Sequence, residues 1–185
     1  MAMAATIPYY AVADLERFPH DGNRYELLDG VLLVTPAPSF SHEAVVARII
    51  GILMNAVQAP GHALVMGRGA VTLLPRTQLE PDILVVPRRF PLDAKWHEIT
   101  EHWLAVEVFS RSSRIYDSEF KRDAYLRLGV REVWLVDRED RSVEVYEAVG
   151  EGRTEREAII WRPPHLELEV RVDLADVFAA VIPHE

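Results

Sequence analysis

The stretch HWLAVEVFSRSSRIYDSEFKRDAYLRLGVREVWLVD, His102 to Asp137, decides the fold. Its first eight residues, His102 to Phe109, are apolar on both faces, the pattern of a central strand covered from two sides. Arg114 to Leu128 places Asp117, Lys121, Ala124 and Leu128 at helical spacing and closes at Gly129, which predicts a helix. Glu132 to Val136 then turns apolar again and reads as a strand. Strand, helix, strand in that order favours a right-handed parallel pair.

Working outward, Ala11 to Phe18 reads as a short helix. RYELLDGVLLVT, Arg24 to Thr35, reads as two strands joined at Asp29-Gly30, a dipeptide suited to a tight hairpin turn. Ser39 to Ala59 is the first long helix: Val46, Ile49, Ile50, Leu53 and Val57 share a face, and Pro60-Gly61 stops it. Ala63 to Met66, Ala70 to Leu74 and Leu79 to Val86 are short strands, the last bounded by Pro81 and Pro87. The loop from Pro87 to Glu101 is long enough to hold a helical turn or a functional segment. Downstream, Ser142 to Ala148, Arg153 to Trp161 and Leu168 to Val170 form an antiparallel meander, and Val172 to Ala180 closes with a short helix. The expected fold is α/β (α+β), a mixed sheet flanked by helices, in one domain spanning 1–185.

The composition, 49% hydrophobic and 26% charged over 185 residues, excludes global disorder. With no cysteine, disulfides, thiolate metal sites and thiol nucleophiles are excluded. Met1 to Tyr10 lacks a basic start and apolar stretch, and no 18 apolar residues run uninterrupted. No signal peptide, no membrane span and a cytoplasmic location are therefore expected. The net charge of −9 disfavours a protein that only binds nucleic acid. It weighs less against a metal enzyme, whose acidic cluster the ion neutralises in part.

The chemistry centres on two acids. Alternation places Glu107 inside an apolar strand, where a carboxylate is costly unless it meets a proton, a cation or several donors. Asp82 opens a second apolar strand after Pro81. If the two strands are neighbours, their oxygens suit a hard divalent ion. Each also has an ordinary reading, Glu107 as a partly exposed strand glutamate or a structural salt bridge and Asp82 as a residue of a strand start or turn. Lys121, at the edge of the helix's buried face, could reach Glu107 and polarise a water, or pair with Asp117 or Asp123. Glu26 could be a third ligand or a plain strand residue. His42 could be a helix-start histidine, a contact to metal-bound water or a proton shuttle. Asp137 reads as a turn residue. Ser110, Ser112 and Ser113 have no nucleophile elbow around them, so a serine triad fails.

These segments carry a family likeness. RYELLDG (Arg24–Gly30), SHEAVVARI (Ser41–Ile49), EPDILVV (Glu80–Val86), AVEVFSRSSRIYDSEFKRDAYLRLGV (Ala105–Val130) and REVWLVD (Arg131–Asp137) resemble the Uma2 family over nearly the whole chain. That family is similar to the PD-(D/E)XK nuclease superfamily and implies a restriction-endonuclease-like core. The resemblance matches Pro81-Asp82 to the superfamily's PD element and Glu107 to its second acid. The superfamily lysine, two residues beyond that acid, is Phe109 here, and the family places its lysine on the next helix, at Lys121. Glu26 resembles the early glutamate, and His42 matches a family position. Arg111 replaces a proline usual in the family.

The expected activity is a Mg²⁺- or Mn²⁺-dependent deoxyribonuclease. Asp82, Glu107 and the Val108 carbonyl would hold the ion, with Lys121 beside the attacking water and Glu26 orienting it or taking part in a second metal position. Arg88, Arg89, Arg111 and Arg114, with Arg76 as a further candidate, would contact phosphates. DNA is the expected substrate, a homodimer the expected assembly, and a separate specificity partner is possible in principle. The alternatives are a non-catalytic binding or assembly module that keeps the fold, and a metal-dependent hydrolase of a small phosphorylated substrate.

Overall fold

The computed structural model describes residues 9–109 and 120–179. Three sheets organise the chain. The largest contains six strands in the order β10-β9-β8-β7-β6-β3. These are β3 (Ala63–Gly67), β6 (Ile83–Pro87), β7 (His102–Phe109), β8 (Val130–Asp137), β9 (Ser142–Ala148) and β10 (Glu151–Glu155). β7 and β8 pair in parallel, with Glu107 opposite Leu135, and every other pair in this sheet is antiparallel. The expected mixed sheet and its parallel centre are both present, flanked by helices as in a restriction-endonuclease-like core.

A smaller sheet runs β2-β1-β5-β4, from β1 (Arg24–Leu28), β2 (Val31–Thr35), β4 (Val71–Leu73) and β5 (Thr77–Leu79). Asp29 and Gly30 join β1 to β2 with φ of 51° and 85°, the left-handed pair that a tight hairpin demands. β1 lies between β2 and β5, so Glu26 is interior to its sheet. The segment from Leu79 to Val86 is not one strand. β5 ends at Leu79 in the small sheet and β6 starts at Ile83 in the large one. Pro81 has no amide to continue a ladder, so pairing lapses and the chain changes sheets through Glu80-Pro81-Asp82. That crossing places Asp82 between the two sheets.

Helix α1 (Phe40–Leu53), capped by the Ser39 hydroxyl, continues through a wider turn over Met54–Gln58. These 19 residues, of hydropathy 1.3, are long and apolar enough to cross a membrane by length and composition. Here Val45, Val46, Ile49, Leu53 and Val57 pack into a core against one face of the large sheet. The expected helix over Arg114–Leu128 is described as α2 (Arg122–Arg127), with Lys121 already helical at its start. Arg114 and Asp117 lie outside the described residues. α2 covers the opposite face, where Leu79, Leu84, Ala105, Phe109, Ala124, Tyr125 and Leu135 form a second core.

The long loop after Pro87 holds a short 3-10 turn, Trp96–Glu98. The meander also differs from expectation: β11 (Ala158–Trp161) leaves the large sheet and pairs with β12 (Val170–Asp173), before α3 (Leu174–Phe178). Its aromatic residues are internal. Trp161 is fully buried edge-on to Trp134, with ring centroids 6.2 Å apart, and Tyr146 receives the Arg122 guanidinium at 4.5 Å. Trp161→Ala is expected to cost about 3–5 kcal/mol, read as a lower urea midpoint with an unchanged slope; a loss under 1 kcal/mol would mean the Trp134–Trp161 pair is not a core contact.

Candidate active site

The C-terminal end of β7, the start of β6, strand β1 and the start of α2 bring their charged side chains to one place. Glu26, Asp82, Glu107 and Lys121 are 0, 3, 4 and 2% exposed. Removing these groups from water is tolerable only because each meets partners of opposite charge or aligned dipoles.

Asp82 is gripped from both sheets. From β1, Arg24 Nη2 donates to Asp82 Oδ1 at 2.8 Å, while Arg24 Nη1 donates to the Glu80 carbonyl at 2.8 Å. From β7, the Val108 amide donates to Asp82 Oδ2 at 2.8 Å. His42, at the first turn of α1, sets Nε2 3.3 Å from the same oxygen, near enough for an ion pair but not aligned as a hydrogen bond. Burial alone would raise the Asp82 carboxyl; His42, Arg24 and the Val108 amide outweigh it and hold the group down at about 2.

Lys121 reaches across the second core. Its Nζ donates to Glu26 Oε2 at 2.5 Å and lies 3.7 Å from Glu107 Oε1. Asp123, a potential partner for it, pairs with Arg122 and Arg127 instead. Glu26 turns its other oxygen to the Glu80 amide at 2.7 Å. It thus ties Lys121 to the crossing segment beside Asp82. Glu107 Oε1 accepts the Tyr125 hydroxyl at 2.7 Å. Burial pushes the Glu107 carboxyl up to about 8; nearby Lys121 opposes the rise, and Asp82 and Glu26 add to it.

The arrangement brings together Asp82, Glu107, Lys121, Glu26 and His42. The phosphate contacts expected of Arg88 and Arg89 do not join them. Both follow the far end of β6, six or more residues from Asp82, or about 20 Å along a strand. Arg89 there pairs with Glu101 at 2.7 Å. Arg76 belongs to the small sheet's β4–β5 turn, over the Tyr9 ring. Arg111 and Arg114 lie outside the described residues.

Two cations missed at the sequence level bond to the elements that carry the site. Arg24 is one, and alternation along RYE, which puts residues 24 and 26 on one face, was the available signal. Arg138 is the other, just beyond β8. Its Nη1 donates to Ser41 Oγ at 2.6 Å, and its Nε lies 3.5 Å from the Phe109 carbonyl. Tyr125 was also missed, since its role depends on helix placement.

In chemical kind, the donors suit a hard cation. The amide and carbonyl of one strand residue leave on the same side, so the Val108 carbonyl shares the Asp82 side of β7. Two carboxylates and a carbonyl, completed by waters, are an ordinary Mg²⁺ set. Among the described residues, no group of three or more His, Asp or Glu side chains is placed to hold a metal ion.

A mixed sheet flanked by helices, with the acids buried where the chain crosses between two sheets, is consistent with a restriction-endonuclease-like core. A family model, "Uma2: Putative restriction endonuclease", matches residues 12–181, and the chain belongs to that family. The fold also matches a crystal structure described as a "putative nuclease belonging to DUF820" from Anabaena variabilis ATCC 29413. The TM-score is 0.74 at 18% identity, covering 94% of this chain and 99% of that one. No curated protein matches the chain.

The raised Glu107 carboxyl has a consequence for stability. A group protonated more tightly in the folded state contributes below its unfolded value, near 4.5, and loses that contribution as pH climbs to about 8. Burial likewise raises Glu132 to about 7, in the same sense. His102, lowered by burial to about 4, acts oppositely between 4 and 6.5. Above pH 6.5 Glu107 dominates. In chelator, stability is expected to fall by ~2 kcal/mol between pH 6.5 and 8, and Glu107→Gln to flatten most of that fall. An equal slope in both proteins would contradict the Glu107 assignment.

Proposed function

We infer that this chain is a metal-dependent nuclease hydrolysing phosphodiester bonds in DNA. One observation carries the reading: α2 delivers Lys121 to within 3.7 Å of Glu107 Oε1, while the next residue, Val108, binds Asp82. Family membership supports the same class of chemistry. Asp82, Glu107 and the Val108 carbonyl would hold Mg²⁺ or Mn²⁺, which when bound supplies a Lewis acid and a more acidic water. Lys121 orients the attacking water and stabilises charge building on the phosphate. Glu26 serves Lys121 as its positioning partner and not as a third ligand. His42, beside Asp82, is placed to move a proton. Arg138, with Arg111 and Arg114, contributes phosphate contacts. A homodimer would let two such sites address both strands, with a separate partner supplying target choice, in the cytoplasm.

A second reading has its own support. Arg24 already neutralises Asp82, as expected of a binding or assembly module that kept the fold without the chemistry. Single-stranded, duplex and branched DNA incubated with Mg²⁺ or Mn²⁺ separate the two. The nuclease reading expects cleavage by the wild type and a loss of at least 100-fold in Glu107→Ala, with ~10²-fold or more also lost in Lys121→Met. Cleavage unchanged by Glu107→Ala would trace to a contaminant. No cleavage of any substrate, with folded protein and either ion, would favour the module.

A further inference from the structure

Arg24 is almost fully buried, and its guanidinium is committed in a fixed fork. One arm donates to the Glu80 carbonyl and the other to Asp82 Oδ1, each at 2.8 Å. Its charge also reaches Glu107 and Glu26. A divalent ion on Asp82 would therefore meet a cation already in place. Like charges on one buried carboxylate repel, so each weakens the other's hold on Asp82.

The surroundings supply a place of retreat. A cleft of about 340 Å³ opens on the outer side of Arg24, lined among others by Asn23, Arg68, Gln78 and Glu80. The Glu80 side chain there is half-buried and already within the electrostatic reach of Arg24. A guanidinium leaving Asp82 can thus keep its Glu80 carbonyl bond and turn its free arm toward a second carboxylate. The step breaks no covalent bond and leaves the cation paired.

We propose that Arg24 is the resident counter-cation of Asp82 in the metal-free site, and that a divalent ion enters by displacing it toward Glu80. The inference rests on the metal-site reading of Asp82 and Glu107. Arg24 is then a positioning residue: it holds Asp82 aimed at the Val108 amide until the ion arrives, and it sets the ion's affinity. A purely structural Arg24 would set only stability.

Calorimetric titration with Mn²⁺ at neutral pH, without nucleic acid, tests this on the full chain. Arg24→Met is expected to bind Mn²⁺ at least tenfold more tightly than wild type, and to melt lower in chelator with a larger rise on adding Mn²⁺. If Arg24→Met does not fold without metal, Arg24→Lys carries the test. Its shorter head has one nitrogen in place of the fork whose two arms reach the Glu80 carbonyl and Asp82, so its hold on Asp82 is weaker and its affinity for Mn²⁺ should also exceed that of wild type. Asp82→Asn locates the binding by abolishing it. Equal or weaker Mn²⁺ binding in the Arg24 variants, with Asp82-dependent binding in wild type, overturns the displacement and leaves the metal site standing. Absence of Mn²⁺ binding in wild type and all variants overturns both.

Discussion

The arrangement depends on compensating three carboxylates, Glu26, Asp82 and Glu107, that are almost wholly buried. An uncompensated charge there would cost more than a domain of this size has to spare. The chain meets that demand from three directions. Strand β1 contributes Arg24, helix α2 contributes Lys121 and Tyr125, and strand β7 contributes the Val108 amide. The donors come from three different elements, so the polar cluster also fixes how the small sheet, the large sheet and α2 are set against one another.

The crossing at Glu80-Pro81-Asp82 makes this possible. The Glu80 amide donates to Glu26 and its carbonyl accepts from Arg24, so both β1 side chains are anchored to the backbone just before Asp82. Pro81 interrupts pairing at the one point where the chain must leave one sheet for another. Asp82 then enters the large sheet already held on both oxygens. A straight strand through this region would have turned residues 80 and 82 to the same face of one sheet, with no second sheet to supply Arg24.

Local pattern made much of this legible. The eight residues from His102 to Phe109 read as a central strand and form one with the same bounds, because a two-sided apolar run has few other uses. The first helix and the Asp29-Gly30 hairpin were legible for similar reasons. What escaped depended on tertiary contact. The break of Leu79–Val86 into two strands follows from sheet membership, which alternation does not encode. Arg24 reads as an ordinary charged residue at a strand start until β5 and β6 are set beside it. Arg88 and Arg89 looked adjacent to Asp82 because they flank the same strand, yet a strand separates its two ends by its full length. The same limit applied to Trp161, whose burial against Trp134 requires β11 to leave the large sheet.

The exchange of a lysine for Phe109 has a physical logic in this fold. Phe109 lies on the Glu107 face of β7 and packs in the second core with Tyr125 and Leu135. A lysine there would start inside an apolar layer and would need its own counter-ion. Lys121 instead approaches from α2 along that layer's edge, and its stem fills core volume while its ammonium meets Glu26 and Glu107. The aromatic ring and the helix lysine therefore divide work that one strand lysine would have to do alone, packing in one case and charge in the other. The division makes the ammonium's position depend on Glu26, and through the Glu80 amide on the same crossing that carries Asp82. On the nuclease reading, acid and lysine are set by one piece of backbone, so a shift of that segment moves both together.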